Sequence, residues 1–161
     1  MFGSICGARP MSAAATVAIL SAAGAHAQNV AVTVGPGPGP TVRSGHVGEV
    51  RLTLTTNAPW YVYAPTGANA NQGLVETRVR VAPHQWIQFA APRYPRSQRH
   101  GAFDVWRGRS NVIGLPFRVR PRTPAGQYRV NGYVEYQTCN GPTCLPPDRI
   151  RFSFPIRVAG G

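Results

Sequence analysis

The chain has 161 residues and a formal net charge of +12, with every cation an arginine and no lysine. That length holds one domain with a real hydrophobic core, and no second domain, internal repeat or sustained coiled-coil pattern is visible. The sequence has no HExxH, no GxSxG and no glycine-rich phosphate loop leading into a helix, which excludes the zinc-protease, serine-hydrolase and P-loop chemistries that those motifs serve.

The first residues read as an export signal. One positive charge, Arg9, precedes the run MSAAATVAILSAAGAHAQ, which ends in Ala25-His26-Ala27. A basic start, a short apolar centre and small residues at −3 and −1 are the layout of a secretory signal peptide. The run is too short and too alanine-rich for a good membrane span. Residues 1–27 are therefore expected to be removed after Ala27, placing the protein in the periplasm or outside the cell. Cleavage would leave 16 arginines against five acids (Glu49, Glu76, Asp104, Glu135 and Asp148), a net charge of +11.

Residues 28–46 are expected to hold a first strand, NVAVTV, and a stiff Gly/Pro segment, VGPGPGP, that reads as a loop or as part of a loose leader. From residue 47 to 161, period-two patterns dominate. GEVRLTLTT alternates Val50, Leu52 and Leu54 with Arg51, Thr53 and Thr55. VETRVRV sets Val75, Thr77, Val79 and Val81 against Glu76, Arg78 and Arg80. QYRVNGYVEY places Tyr128, Val130, Val134 and Tyr136 on one face, with Gly132 among them. In RIRFSFPIRV, Ile150, Phe152, Phe154, Ile156 and Val158 face one way, while Pro155 falls on the outer face and favours an edge or a bulge. Such alternation argues half-buried strands. Proline and glycine punctuate the chain every 8 to 15 residues. The expected fold is all-β, an antiparallel β-sandwich of about seven or eight strands.

The arginines are spread over many strands rather than gathered in one arm, so they read as a basic solvated surface and no nucleic-acid partner is expected. His46, His84 and His100 are far apart and lack metal-ligand spacing, and no methionine follows residue 27. A copper or zinc site built from Cys139, Cys144 and a histidine is a minor alternative; the expectation is no metal and no cofactor.

The cysteine pair carries the strongest chemical signal. Cys6 would leave with the signal, so Cys139 and Cys144 in YQTCNGPTC are the remaining pair. An even pair in an exported protein normally oxidises to a disulfide. The flanking strands make residues 137–148 a hairpin-like loop. A disulfide across so small a loop adds comparatively little chain-entropy stabilisation, which weakens the reading as a simple staple. The spacing is CxxxxC, so the helix-dipole route to a low thiol pKa that serves a CxxC motif is absent. Spacing alone leaves redox activity and a structural staple both open.

The segment GYVEYQTCNGPTCLPPDRIRFSFPIRV resembles the C-terminal part of the N-terminal periplasmic domain of the DsbD thiol:disulfide interchange family, with Tyr136, Gln137, Cys139, Cys144, Pro146 and Pro147 matching in order. Upstream, LTLTTNAPWYVYAP, with Trp60, Tyr61 and Tyr63, and HGAFDVWRGRSNVIGLPFRV resemble further segments, so the similarity runs from about Val47 to Val158. The resemblance implies an immunoglobulin-like sandwich that takes electrons from a membrane-embedded partner and reduces exported thiol-disulfide proteins. It implies that Cys144 forms the mixed disulfide and Cys139 resolves it. In this chain the cysteine loop is one residue shorter than in the best-known members. Their cap loop carries an aromatic and acidic residues, where this chain has Ser97, Gln98, Arg99 and His100. Two readings of that segment stay open, Arg99 or His100 covering the sulfurs or an ordinary exposed loop; on the first, Arg99 and His100 join Tyr63, Tyr136 and Gln137 in shaping access without doing chemistry. The expected partners are thiol-disulfide proteins of the cell envelope and a separate membrane electron donor, the chain itself not spanning the membrane. The alternative is a non-enzymatic sandwich with a structural disulfide that binds an acidic partner or polyanion through an arginine-rich face.

Overall fold

The computed structural model describes residues 32–160 other than Ser110; the signal-peptide expectation, Cys6 and the start of the first predicted strand lie outside those residues. The described residues form an all-β fold of three four-stranded sheets. Two of them face each other and enclose the main core.

The first sheet runs in the order β1 (Val32–Pro36), β3 (Val47–Thr56), β9 (Asn111–Val119) and β6 (Ile87–Phe89). The second runs β2 (Thr41–Arg43), β12 (Asp148–Ala159), β10 (Gly126–Tyr136) and β5 (Arg78–Val81). In chain order, β1, β3, β5, β6, β9, β10 and β12 occupy the places of immunoglobulin strands A to G, A-B-E-D in one sheet and C-F-G in the other. The added β2 lies parallel to the end of β12, with Arg157 opposite Thr41. Alternation puts Val50, Leu52 and Leu54 of β3 and Phe154, Ile156 and Val158 of β12 into one shared core, as the sequence pattern requires.

Two local readings change. The first strand runs on past Val34 through Gly35 and Pro36, paired antiparallel with β3 from Val32–Thr56 to Pro36–Leu52. A proline is tolerated there because β1 is an edge strand. The Gly/Pro segment is thus the crossover by which the chain leaves the first sheet and joins the second. Gly39 is required in that crossover, since a Cβ would collide with the carbonyl oxygen of Pro155. Pro155 itself is exposed, opposite Arg129, beyond the reach of β2.

The second change concerns VETRVRV. Only Arg78–Val81 forms a strand, and Glu76 is 4% exposed rather than solvated. Its carboxylate accepts from the Gly67 and Ala70 backbone N–H groups at 2.7 and 3.3 Å and pairs with Arg78 at 3.1 Å. A buried charge persists only with such partners, so local bonding here overrides the alternation.

The third sheet is assembled from the connections. β4 (Tyr61–Tyr63) lies between β3 and β5, β7 (Gln98–His100) and β8 (Phe103–Trp106) lie between β6 and β9, and β11 (Thr138–Cys139) lies between β10 and β12. Their order is β11-β4-β8-β7. All three connections leave the same end of the sandwich, because Leu54 pairs with Asn111, Tyr136 with Asp148, and Arg78 with Glu135. These short segments raise the strand count above the seven or eight of the sandwich proper.

Gly132 lies opposite Phe152, and a Cβ there would press into the Phe152 ring and the Arg80 carbonyl oxygen. Gly132→Ala should therefore destabilise the fold by roughly 1–3 kcal/mol in urea unfolding. Phe152→Leu in the same background should recover part of that loss.

Candidate functional site

Cys139 and Cys144 form a disulfide at the tip of the connection between β10 and β12. Backbone bonds build a tight hairpin around it. The Asn140 N–H donates to the Thr143 carbonyl at 3.0 Å, and the Leu145 N–H donates to the Thr138 carbonyl at 2.8 Å. The Asn140 side-chain oxygen accepts from the Thr143 N–H at 3.2 Å, and Gly141 makes the turn at φ +104°. Between the two bonded pairs, Cys139 and Cys144 face each other as a non-hydrogen-bonded pair, where antiparallel strands approach most closely. Their Cα atoms are 4.1 Å apart. The ladder, rather than the S–S bond alone, sets the two positions opposite one another.

Gln137 braces this hairpin. Its side-chain oxygen accepts from the Val75 N–H at 3.2 Å, and its amide donates to the Leu145 carbonyl at 3.3 Å. The hairpin is thereby tied to the chain entering β5.

The two cysteines are placed unequally. Cys139 is fully buried, whereas Cys144 is exposed. Cys139 pairs with Tyr61 in the third sheet, and both belong to a small apolar cluster with Tyr63 and Val105 that Leu74 and Phe103 flank. The Tyr63 hydroxyl lies 3.7 Å from the Cys144 sulfur, while the residue is only 2% exposed. Burial, then the charge and hydrogen bond of Tyr61, push the Tyr63 phenol up to about 12. It therefore stays protonated across the biological range and can donate to a sulfur.

The expected cap residues separate. The hairpin of β7 and β8 does reach the disulfide's sheet, and the His100 ring packs edge-on to Tyr61 at 4.8 Å. Arg99 does not cover the sulfurs. It lies opposite Asp104 on the other face of the sheet and pairs with it at 3.5 Å. Asp104 also accepts from the Thr66 hydroxyl at 3.1 Å. Strand alternation is the reason: Arg99 and His100 are adjacent, so only one of them can share a face with Tyr61. Tyr136 also points elsewhere, into the main core, and its hydroxyl donates to Asp148 at 3.3 Å. Burial, then Asp148, push its phenol well above the usual tyrosine range. Its role is to close the base of the hairpin.

Two participants escaped the sequence reading. Arg107 sits over the Tyr61 ring at 5.2 Å, a cation against this cluster that the sequence does not announce. Phe103 packs edge-on to Tyr63 at 5.7 Å. Tyr61 and Tyr63 were legible as same-face neighbours from the i, i+2 rule, but the pairing with β8 that brings Arg107 and Phe103 is a tertiary event. Among the described residues, no group of three or more His, Cys, Asp and Glu side chains could hold a metal ion. No helix among them is long and apolar enough to cross a membrane.

No protein family matches the chain, and no curated protein does. Solved structures with some likeness include an ASH/PapD-like domain of human CEP192, 15% identical with a TM-score of 0.36, covering 95% of this chain and 99% of that one. AvmM, which catalyses macrocyclisation in alchivemycin A biosynthesis, is 7% identical with a TM-score of 0.37, over 83% of this chain and 92% of that one. A family 123 glycoside hydrolase from Clostridium perfringens is 9% identical with a TM-score of 0.31, over 80% of this chain and 28% of that one. Similarity this low transfers neither activity nor partner to this chain.

The raised Tyr63 value has a stability consequence. The folded state favours the neutral phenol, so the contribution is complete below about pH 10, the unfolded value, and is lost as pH rises towards about 12. The stability difference between the wild type and Tyr63→Phe should accordingly shrink across that window. Chemical unfolding at stepped pH measures it; a difference that stays flat would mean Tyr63 is not held in its neutral form.

Proposed function

We propose that this chain is an exported thiol–disulfide exchange module working through Cys139 and Cys144, a component of a protein-disulfide reductase system. One observation carries the reading: the pair is asymmetric, with Cys144 exposed and Cys139 buried. A staple needs no such division. Exchange does, because one sulfur must meet a partner while the other waits behind it.

In the reduced form, Cys144 gives its proton to solvent and its thiolate attacks one sulfur of a partner disulfide. The partner's second sulfur leaves as a thiolate, and a mixed disulfide through Cys144 forms. Cys139 then passes its proton to that partner thiolate and attacks the Cys144 sulfur; the partner's other sulfur leaves as a thiolate, takes up the proton that Cys144 gave to solvent, and the partner departs as a dithiol. Two electrons have passed from this chain to the partner, and the Cys139–Cys144 bond is restored. Resetting needs a dithiol donor, which we assign to a separate membrane protein, since the chain holds no other redox group among its described residues.

The surroundings favour each step. The hairpin bonds on either side keep the two positions opposed when the bond is open, so the second attack is intramolecular and gains the advantage of a pre-oriented pair. The Tyr63 O–H, 3.7 Å from the Cys144 sulfur, can donate to a developing thiolate and lower its pKa. Arg107 over Tyr61 adds positive charge to the same cluster. Burial keeps Cys139 from competing for outside partners.

Trapping tests the reading directly. Cys139→Ala should accumulate a mixed disulfide through Cys144 in extracts of the cell envelope, and Cys144→Ala should not. A reduction potential more negative than about −300 mV, the range of structural disulfides, would overturn the proposal. Within the Cys139→Ala background, Tyr63→Phe should raise the Cys144 thiol pKa by roughly one unit, read from thiolate absorbance against pH.

A further inference from the structure

The outer face of the second sheet carries a constellation that thiol exchange does not use. Across β5, β10 and β12, one register row places Arg80, Tyr133 and Arg151 side by side. Neighbouring strands are about 4.8 Å apart, so the two arginines flank the tyrosine within side-chain reach of one another. Both arginines are exposed, and neither has an acidic partner. Two residues along, in the next row of the same face, Arg149 is occupied by Glu135, which accepts from its Nε at 3.1 Å and its Nη2 at 2.8 Å. That grip holds the Arg149 guanidinium 5.0 Å from the centre of the Tyr133 ring. Arg149 therefore positions the ring rather than serving as a free cation. Arg80, Tyr133, Arg149 and Arg151 line a surface cleft of about 620 Å³ together with Asn131 and Pro83. Farther along the same face, Arg129 and Arg157 are also exposed and without acidic partners. Of the two acids on the strands of this sheet, Glu135 is already committed to Arg149, and Asp148, opposite Tyr136, accepts from the Tyr136 hydroxyl.

We infer that this cleft binds a phosphate-class oxyanion, held between Arg80 and Arg151 over Tyr133. Two unpaired guanidinium groups present planar donor forks that match phosphate geometry. A tetrahedral oxyanion has enough oxygens to engage both forks and a central phenol at once, which a single carboxylate with two oxygens does not. Arg129 and Arg157 continue the positive face, so an array of phosphates should bind more tightly than one. The site is independent of the disulfide and of the exchange proposal.

The test uses the full folded chain and two probes. Inorganic phosphate, exchanged for chloride at constant ionic strength, should raise the melting temperature. Vesicles of phosphatidylcholine with phosphatidylglycerol should sediment the protein, whereas pure phosphatidylcholine should not, and added salt should release it. Arg80→Gln combined with Arg151→Gln should weaken vesicle binding roughly 25-fold. Arg96→Gln combined with Arg120→Gln removes the same charge elsewhere on the surface and should change binding far less. Binding of free phosphate alone identifies a soluble ligand, and binding of vesicles identifies a headgroup array; either supports the site if the Arg80/Arg151 variant weakens it and the Arg96/Arg120 variant does not. Failure of both probes, or equal loss in the two double variants, overturns the inference.

Discussion

The antiparallel pairing of β10 with β12 is the constraint on which the rest depends. It runs without interruption from Gly126–Val158 to Tyr136–Asp148. Because side chains alternate along a strand, this one register settles three things together. It sends Val130, Val134, Phe152, Phe154 and Ile156 into the core. It sets Tyr133 beside Arg151 on the outer face. It also delivers the cysteine connection to one end of the sandwich. A slip of one residue would exchange core and surface and dismantle both candidate sites.

At that end, the third sheet converts three loops into a platform. Loops alone would leave the disulfide at the tip of a free hairpin. Pairing of Cys139 with Tyr61, and of Tyr63 with Val105, instead buries one cysteine and leaves the other an exposed residue. Gln137 and Tyr136 secure the hairpin from below, through Leu145 and Asp148 respectively. Chemical asymmetry between two cysteines of the same loop is thus a product of sheet pairing. Neither cysteine has an intrinsic property that distinguishes it.

Much of the sandwich was legible in the residues. The alternation in GEVRLTLTT and RIRFSFPIRV predicted their inward faces, because a half-buried strand has few other ways to satisfy a period of two. VETRVRV misled at Glu76, where backbone N–H groups of residues 67 and 70 provide the partners that a buried carboxylate needs. Those donors are nine and six residues away and leave no periodic trace. The Gly/Pro segment misled in the opposite direction, since its first residues pair with β3 on an edge where proline costs no ladder bond. The cysteines, Tyr63 and the Arg99–His100 pair are visible as candidates in the sequence, but which of the two adjacent residues shares the face of Tyr61 depends on strand register, and so does the approach of Arg107.

By itself the sequence determined the strand pattern, the all-β class and the pairing of Cys139 with Cys144 as a chemical possibility. Those are local properties: alternation, turn residues and residue chemistry act over a few positions. Only the tertiary structure decided which cysteine is the exposed one, that Tyr63 approaches Cys144, that Arg99 turns away to Asp104, and that Arg80 and Arg151 flank Tyr133. Each of these joins segments distant in the chain. Their register is set by burying a common core, and no short stretch of residues carries that information.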